Sequence, residues 1–400
     1  MNASHRPRAA DLRGAARLAT EATAALTDLV EAMHERITRL PGVPPPAAAR
    51  TKGITGLVYR SVRGVNRLVG GGLDGLLGLL GPALGSSAAS AEREALLAVL
   101  NGVLGDYLAQ TGNPLALPMQ WRSAEGQVLS LAPDALRAQL PAAGDRLLLL
   151  LHGLCMNAGQ WRRDGHDHGA ALAAELGYTP VYLNYNSGQH ISLNGRALVL
   201  QLQQLLEGWP QPLSRVVLLG HSMGGLLARS ALHQADVLGL DGPDRVTDLV
   251  CLGSPHHGAP LERAGNWIDL LLGASPYAAP LARLGQLRSA GITDLRHGNL
   301  LDEDWVGQDR FARRADQRQP VPLPTGMRCY AVAGSLRSEG ERPRWLGDGL
   351  VPVASALGKH RDPARALHFE AQRQWCGRGI NHLQLLSSPQ VYARLRDWLA

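Results

Sequence analysis

The chain has 400 residues, of which 45% are apolar and 18% are charged. This is an ordinary globular composition, and the length allows one large α/β domain plus about 100 further residues. The formal net charge of +6 is unevenly placed, because residues 1–70 hold eleven Arg and Lys against five Asp and Glu. The rest of the chain is neutral, which argues against a surface that attracts nucleic acid over the whole body.

The cysteine pattern and the hydropathy of the chain indicate in which cellular compartment the protein is expected. The four cysteines lie far apart and form no CxxC pair, a pattern typical of buried free thiols. The N-terminal residues lack the continuous apolar segment of a secretory signal. No run of 18 uncharged apolar residues is present, and the nearest candidate, Leu68 to Leu84, contains six glycines and Asp74. These features predict a cytoplasmic or membrane-peripheral protein.

Residues 1–112 are predicted to form an N-terminal helical region. Residues 11–40 have helical periodicity, which ends at the proline-rich segment PGVPPP. Residues 54–69 form an apolar helical stripe, and three arginines lie off this stripe: Arg60, Arg63 and Arg67. Such a basic amphipathic helix either lies on an anionic membrane surface or, more commonly, packs on a neighbouring helix such as Ser90–Gln110. Both alternatives stay open, so peripheral membrane contact is one partner prediction.

Residues 121–400 alternate strand and helix patterns, which predicts a mostly parallel, doubly wound sheet covered on both faces. The predicted strands are Gln127–Leu131, Arg146–Leu151, Thr179–Asn184, Val216–Leu219, Val246–Leu252, Met327–Ala333 and Ala366–Phe369. The predicted helices are Ala170–Leu176, Leu193–Glu207, Met223–Leu238 and Pro389–Leu399. The interval from Ala259 to Pro324 is too long for a simple crossover and is predicted to be a lid.

The segment VVLLGHSMGGLLARS (Val216–Ser230) places a serine between glycines where a buried strand gives way to a helix. Gly220 and Gly224 carry no Cβ and would let the strand and the helix approach closely. The hydroxyl of Ser222 would then lie beyond the carboxyl edge of the sheet. This G-x-S-x-G arrangement predicts a nucleophile elbow with Ser222 as the nucleophile.

A serine needs an imidazole to remove its proton, and on this architecture the partners follow in the order nucleophile, acid, base. Asp348 lies in a glycine-flanked turn after the strand Met327–Ala333, and His382 lies before the C-terminal helix. We therefore predict Asp348 as the acid and His382 as the base. The rival carboxylates and histidines are Asp302, Asp304, Asp316, His360 and His368.

The oxygen of a tetrahedral intermediate needs hydrogen-bond donors. The elbow supplies the backbone N–H of Met223. The segment HGL follows the apolar strand Arg146–Leu151, and Gly153 permits a bend there. The backbone N–H of Leu154 is therefore the second predicted oxyanion donor.

A metal site is the weaker interpretation of the segment RRDGHDHG. Its potential ligands lie in a glycine-containing loop with no further ligand cluster nearby: Asp164, His166, Asp167 and His168. We predict no metal and no cofactor, and no calcium site is predicted either.

Five segments occur in the order HGL, GHSMGG, GSPHHGAP, DGLVP and NHLQLL. As a set they resemble the lipase-like α/β-hydrolases, and the nearest branch is similar to bacterial esterases and lipases related to the GPI-inositol-deacylase-like hydrolases. The resemblance covers Arg146 to Trp398. It implies an α/β-hydrolase fold, the triad Ser222, Asp348 and His382, and the oxyanion donors Leu154 and Met223. It assigns His256 and His257, in GSPHHGAP, structural or substrate-contacting roles, and it covers none of the N-terminal 110 residues.

These features predict a serine hydrolase acting on carboxylic esters through an acyl-enzyme. The apolar segment WIDLLLGASPYAAPLARL in the predicted lid favours lipid-like substrates. An acyltransferase would use the same residues with a different acceptor. A non-catalytic protein that binds a membrane or a partner is the alternative of another class, since fold alone does not decide function.

Overall fold

The computed structural model describes residues 9–38, 59–60, 62–64, 71, 91–259, 288–310, 312, 315–336 and 347–400. Two compact units are present: Met1–Ala89 with Gln110–Ala116, and Ser90–Ala109 with Leu117–Ala400. Much of the predicted basic stripe and part of the predicted lid lie outside the described residues. None of the helices in the described ranges is long and apolar enough to cross a membrane.

In the smaller unit, helix α1 (Ala9–Thr38) matches the helix predicted over residues 11–40. Its acidic side chains pair with an arginine of the predicted basic stripe. Arg63 is buried and donates hydrogen bonds to Asp28 at 2.7 Å and to Glu31 at 2.5 Å. The positive charge of Arg63 is therefore paired within this unit, whereas Arg60 is exposed.

The larger unit is built on a seven-stranded sheet in the order β1-β3-β2-β4-β5-β6-β7. The strands are β1 (Gln120–Arg122), β2 (Arg146–Leu151), β3 (Thr179–Asn184), β4 (Arg215–His221), β5 (Asp248–Leu252), β6 (Arg328–Ser335) and β7 (Gln374–Arg378). Strand β1 pairs with β3 in the antiparallel direction, and all other neighbours are parallel. The predicted fold class, a mostly parallel α/β-hydrolase sheet, is confirmed.

Eight helices accompany the described part of this sheet. They are α2 (Ala91–Gln110), α3 (Pro133–Gln139), α4 (His168–Leu176), α5 (Ile191–Glu207), α6 (Met223–Leu238), α7 (Ala290–Asp294), α8 (Val353–Ala356) and α9 (Pro389–Leu399). Helices α6 and α9 have the predicted bounds, and α4 and α5 each begin two residues earlier than predicted. The helical spacing of apolar residues in the sequence therefore predicted the bounds of these four helices to within two residues.

Two predicted strands were wrong. Gln127–Leu131 forms only an isolated bridge through Val128, and β1 lies before it. Ala366–Phe369 is not a strand. This segment is a loop, and the side chains of Leu367 and Phe369 pack in the core. The last strand is β7 instead, a partly exposed edge strand of sequence QWCGR without an apolar run. In these two segments the apolar residues indicated burial, but they did not indicate that the segment pairs as a strand.

The core lies on both faces of the sheet, as the leucine run of β2 requires. Successive strand residues point to opposite faces. Leu147, Leu149 and Leu151 belong to one buried apolar cluster, and Leu148 and Leu150 belong to the other. All five are fully buried. A continuous apolar strand is stable only where helices cover both faces.

Helix α2 belongs to the unit that holds the sheet, although the sequence places the domain boundary between residues 112 and 121. A Cβ at Gly102 would lie 2.8 Å from Cα of Cys155, and one at Gly105 would lie 1.8 Å from Oδ1 of Asn186. Asn186 also donates a hydrogen bond to the carbonyl of Gly105 at 2.9 Å. Because α2 packs this closely on the loops after β2 and β3, the larger unit begins at Ser90.

The amino ends of the strands meet at a buried ion-pair cluster centred on Asp248. Arg215 and Arg328 donate to its carboxylate at 3.0 and 2.8 Å. Arg215 also donates to the carbonyl of Leu399 at the end of α9, at 2.7 Å. Burial acts to raise the pKa of Asp248, but hydrogen bonds from Arg215, Thr247 and Arg328 outweigh it, and the pKa lies below its ordinary value.

We predict that Arg215→Met lowers the free energy of unfolding by about 3 kcal/mol at pH 7, because Asp248 stays buried with one partner fewer. The pKa of Asp248 is lower in the folded chain than in the unfolded chain. The stabilisation is therefore complete above the unfolded value of about 3.9 and is lost as pH falls through the folded value. Urea unfolding measures both effects.

The control is Arg137→Met, at a largely exposed side chain whose loss should change the free energy of unfolding by less than about 0.5 kcal/mol. An Arg215→Met effect as small as the control would contradict a stabilising role for this cluster. So would an effect that stays constant below pH 3.9, the ordinary pKa of Asp.

Candidate active site

The turn between β4 and α6 holds Ser222 in a conformation that serine rarely adopts. Its φ is 54° and its ψ is −120°. The adjoining glycines are sterically required: a Cβ at Gly220 would lie 2.4 Å from the nitrogen of Gly225, and one at Gly224 would lie 2.1 Å from the carbonyl oxygen of Leu151. A positive φ at a non-glycine residue costs about 1–3 kcal/mol and persists only where the surroundings enforce it. The turn has the geometry predicted for a nucleophile elbow.

The hydroxyl of Ser222 is held in place without a hydrogen bond of its own. The backbone N–H of Ser222 donates to the carbonyl of Leu252 at the end of β5, at 2.8 Å. The side-chain oxygen is buried and has no hydrogen-bond partner among the described residues. A buried polar atom left unpaired costs about 1–3 kcal/mol, so this hydroxyl calls for a functional explanation.

Asp348 and His382 form a buried pair. The distance from Asp348 Oδ2 to His382 Nδ1 is 2.7 Å, and both side chains are at most 1% exposed. The other carboxylate oxygen accepts the backbone N–H groups of Leu350 at 3.0 Å and Val351 at 2.8 Å. The backbone N–H of His382 donates to the carbonyl of Asp348 at 2.9 Å. These contacts fix the ring, which donates its Nδ1–H to the carboxylate of Asp348.

The residue after β5 brings this pair to the same edge of the sheet as Ser222. Gly253 has a φ of 59°, and a Cβ there would lie 3.1 Å from Asp348 Oδ2 and 3.2 Å from His382 Cε1. The preceding residue, Leu252, accepts the hydrogen bond from Ser222. The structure thus places the predicted nucleophile, acid and base at one carboxyl edge.

His221, inside the elbow, holds the backbone of His382. Its Nε2 lies 3.0 Å from the carbonyl oxygen of His382, and the two ring centroids are 4.7 Å apart. Burial keeps the pKa of His221 well below 6.5, so the ring is neutral and Nε2 carries the donated proton. Sequence reasoning missed this residue, because the x of G-x-S-x-G carries no signal of its own.

The predicted oxyanion loop lies beside the serine. A Cβ at Gly153 would lie 3.1 Å from Cβ of Ser222 and 3.2 Å from Nδ1 of His221. The N–H groups of Leu154 and Met223 donate no hydrogen bond to any described residue, as donors reserved for a ligand would require. Leu154 follows Gly153, which lies against Ser222, and Met223 is the next residue after Ser222, so both predicted donors lie in segments next to the serine.

The oxyanion loop is held from both sides. His152 stacks on Tyr185 with ring centroids 4.3 Å apart, and burial lowers the pKa of His152 to about 4. Cys155 has a φ of 58°, and its backbone N–H donates to Oγ of Ser187 at 3.0 Å. Gly102 of α2 packs directly on Cys155. Two glycines three residues apart in one helix, Gly102 and Gly105, were the sequence signal for this close packing.

The rival carboxylates are engaged elsewhere. Asp302 pairs with Arg196, and Asp316 pairs with Arg318 at 3.2 Å. Asp304 accepts backbone hydrogen bonds in the turn that follows Leu300 and Leu301. None of these contacts involves Ser222 or His382.

The remaining histidines considered from the sequence lie away from the triad. His360 is half-buried and His368 is exposed. His256 is fully buried beside Arg229, with its Nδ1 3.3 Å from a guanidinium nitrogen. His257 lies 2.6 Å from Arg318. The last two contacts give the segment GSPHHGAP a cationic neighbourhood that the sequence did not indicate.

The side chains of RRDGHDHG make contacts within the fold. Asp167 accepts the N–H groups of Gly169 and Ala170 at the start of α4, and His166 contacts His168 at 2.8 Å. Asp164 accepts the hydroxyl of Ser387 at 2.9 Å. No group of three metal-ligating side chains is found among the described residues.

The strain at Ser222 has a measurable consequence. Because glycine adopts positive φ without penalty, Ser222→Gly should be more stable than Ser222→Ala by about 1 kcal/mol in free energy of unfolding. Both variants lose the unpaired hydroxyl, so the comparison isolates the backbone. Urea unfolding measures it.

The matched control is Ser230 on α6, which has ordinary helical geometry. There the order should reverse, with the glycine variant about 1 kcal/mol less stable than the alanine variant. A glycine variant less stable than the alanine variant at both positions would contradict a strained serine.

Several solved structures are similar to this chain at low sequence identity. The mature lipase BlEst2 of Bacillus licheniformis is similar at 17% identity and a TM-score of 0.41, covering 64% of this chain and 92% of that one. The esterase Pf2001 of Pyrococcus furiosus is similar at 14% identity and a TM-score of 0.36, covering 70% and 87%. The NocB thioesterase domain, in covalent complex with a fluorophosphonate nocardicin G analog, is similar at 17% identity and a TM-score of 0.37, covering 65% and 95%.

The family comparison is independent of these structures. No curated protein sequence matches the chain. Residues 143–317 match the model of the PGAP1-like alpha/beta domain, a range that includes β2 to β5 and the elbow. Together with the mostly parallel sheet and the strand–turn–helix geometry at Ser222, this match to part of the chain supports an α/β-hydrolase fold for the larger unit.

Proposed function

We propose that the protein is a serine hydrolase that cleaves carboxylic esters, with Ser222 as nucleophile, His382 as base and Asp348 as acid. One observation carries the proposal: a strained serine with an unpaired hydroxyl shares a sheet edge with a buried Asp–His pair 2.7 Å apart. A hydroxyl and an imidazole oriented by a carboxylate are the groups that acyl transfer needs.

In the proposed reaction, Ser222 Oγ attacks the acyl carbon while His382 Nε2 takes the hydroxyl proton. Asp348 holds the ring through Nδ1 and stabilises the imidazolium that forms. The imidazolium then gives its proton to the leaving alcohol, and the acyl group stays on Ser222. Water repeats the sequence on the acyl-enzyme, with His382 again acting as base, and releases the acid.

The oxyanion of each tetrahedral intermediate is proposed to accept the N–H groups of Leu154 and Met223. Their support is rigid, because the loop at Gly153 contacts the elbow and Met223 begins α6. Donors fixed before the reaction stabilise developing charge without reorganising, and each contributes about 3–4 kcal/mol in comparable sites.

The proposed substrate class is lipid-like esters. Apolar side chains adjoin the site: Sδ of Met156 lies 3.3 Å from the position of a Cβ on Gly153, and Leu385 lies 2.6 Å from that of a Cβ on Gly253. The apolar segment WIDLLLGASPYAAPLARL lies outside the described residues, and its composition favours the same class.

The triad is tested by single substitutions. Ser222→Ala, His382→Ala and Asp348→Asn should each lower kcat/KM for p-nitrophenyl esters by about 10⁴-fold, because each removes the nucleophile, its base or the orientation of that base. Circular dichroism and melting temperature confirm folding. Ser214→Ala, an exposed serine before β4, is the control and should retain full activity. Retained turnover in Asp348→Asn would contradict its assignment as the acid.

The substrate class is tested by chain length. Long-chain esters presented as micelles should be cleaved faster than the same esters as monomers. Replacing Leu270, Leu271 and Leu272 by Ser should lower turnover of long-chain esters at least about tenfold, by removing apolar burial of roughly 1.5–3 kcal/mol per side chain. Acetate esters serve as the internal control and should be unaffected. Equal losses for both chain lengths would contradict a lipid-binding role for this segment.

A further inference from the structure

Helix α2 packs against the turn that carries Leu154, one of the two proposed oxyanion donors. This turn spans residues 153–156 and is closed by a hydrogen bond from the backbone N–H of Met156 to the carbonyl of Gly153 at 3.3 Å. Helix α2 precedes residues 143–317, the range that matches the family model. The family match therefore says nothing about what α2 does at this turn.

The turn holds Cys155 in a backbone conformation that a cysteine rarely adopts. Cys155 is the third of its four residues and has a φ of 58°, whereas Leu154, the second, has a negative φ. This pattern is that of a type II turn, whose third position usually requires glycine. A side chain at that position strains the backbone, so the turn persists only where its surroundings hold it. Two contacts from outside the turn hold Cys155.

The first contact is made directly by α2. A Cβ at Gly102 would lie 2.2 Å from Sγ, 2.8 Å from Cα and 2.9 Å from the nitrogen of Cys155. Two of these three atoms belong to the backbone, so the rotation of a side chain cannot relieve the clash. A methyl group at position 102 would therefore displace either the helix or the turn that carries Leu154.

The second contact is made through the loop that follows β3. The backbone N–H of Cys155 donates to Oγ of Ser187 at 3.0 Å, and both residues are buried. Helix α2 fixes the residues on either side of Ser187. The side chain of Asn186 donates to the carbonyl of Gly105 at 2.9 Å, and a Cβ at Gly188 would lie 2.7 Å from the nitrogen of Gly105. The hydroxyl that accepts from Cys155 is therefore itself positioned by α2.

We propose that α2 is a positioning element of the oxyanion hole, which sets the direction of the Leu154 N–H through Gly102 and Ser187. The inference rests on the proposed function, because such a donor needs to be positioned only where an oxyanion forms. A displaced turn would still allow the ester to bind, but its misdirected N–H would stabilise the tetrahedral intermediate less. The role of α2 should therefore affect kcat and not KM.

The experiment measures p-nitrophenyl ester hydrolysis by the full chain and by two variants, Gly102→Ala and Ser187→Ala. Each should lower kcat by on the order of 10- to 100-fold, because loss of a whole oxyanion donor costs about 10²- to 10³-fold and a misdirected donor costs less. Acylation and deacylation both pass through an oxyanion, so KM should stay within about twofold of the wild-type value. A trifluoromethyl ketone, whose adduct with a serine is a tetrahedral oxyanion, should bind more weakly by the same factor.

Gly242→Ala is the matched control. A Cβ there would also be crowded, at 2.2 Å from Oε1 of Gln203, but Gly242 precedes β5 and lies at the opposite edge of the sheet from Ser222. This variant should lower the melting temperature without changing kcat, which separates positioning from loss of stability. Ser187→Ala adds no atom to the core and carries the test should Gly102→Ala fail to fold.

The outcomes separate this inference from the proposed function. An active wild-type chain would overturn the role of α2 alone if Ser187→Ala keeps its kcat and its affinity for the ketone. An equal fall in kcat in Gly242→Ala, or a rise in KM with kcat unchanged, would also overturn that role alone. A wild-type chain that neither hydrolyses the esters nor binds the ketone would overturn the proposed function and this inference with it.

Discussion

The close approach of helix α6 to the sheet is the constraint on which the rest of the site depends. It is possible because Gly220 and Gly224 present no Cβ to Gly225 and to Leu151. The turn between strand and helix is then so short that Ser222 must take a positive φ. The strain, about 1–3 kcal/mol, is offset by the surrounding strands and fixes the hydroxyl beyond the sheet edge. The Asp348–His382 pair and the loop at Gly153 both lie around this hydroxyl oxygen of Ser222.

The groups around the hydroxyl are held by backbone hydrogen bonds and are predominantly buried. Asp348 is fixed by two backbone N–H groups, and the carbonyl of His382 is fixed by His221. Burial keeps the rings of His152 and His221 neutral, so neither ring adds a positive charge near the Asp–His pair. Such a water-poor, rigid environment strengthens electrostatic stabilisation of a transition state. Helix α2 contributes to this rigidity, since Gly102 packs on the loop that carries Leu154.

The sequence predicted those features that local rules determine. The turn at Ser222 could be recognised in the sequence because its glycines are needed for close packing. Strand β2 could be recognised from its leucine run because a parallel strand is buried on both faces. Chain order predicted Asp348 and His382 as partners, and the structure pairs these two side chains. Features that depend on tertiary contacts were not predicted. Strand β7 lacks an apolar run, and Leu367 and Phe369 are buried although they lie in a loop and not in a strand. The placement of α2 and the buried Arg229 depend on residues far away in the chain, which no local pattern records.

The central claim is that Ser222 is the activated nucleophile, and covalent labelling tests it most directly. A fluorophosphonate probe reacts with a serine whose hydroxyl is deprotonated by a neighbouring base and whose oxyanion is stabilised. Mass spectrometry of the labelled and digested protein should find one adduct per chain, on the peptide that contains Ser222, and Ser222→Ala and His382→Ala should abolish it. An adduct on another residue, or no adduct in the folded wild-type protein, would contradict the account.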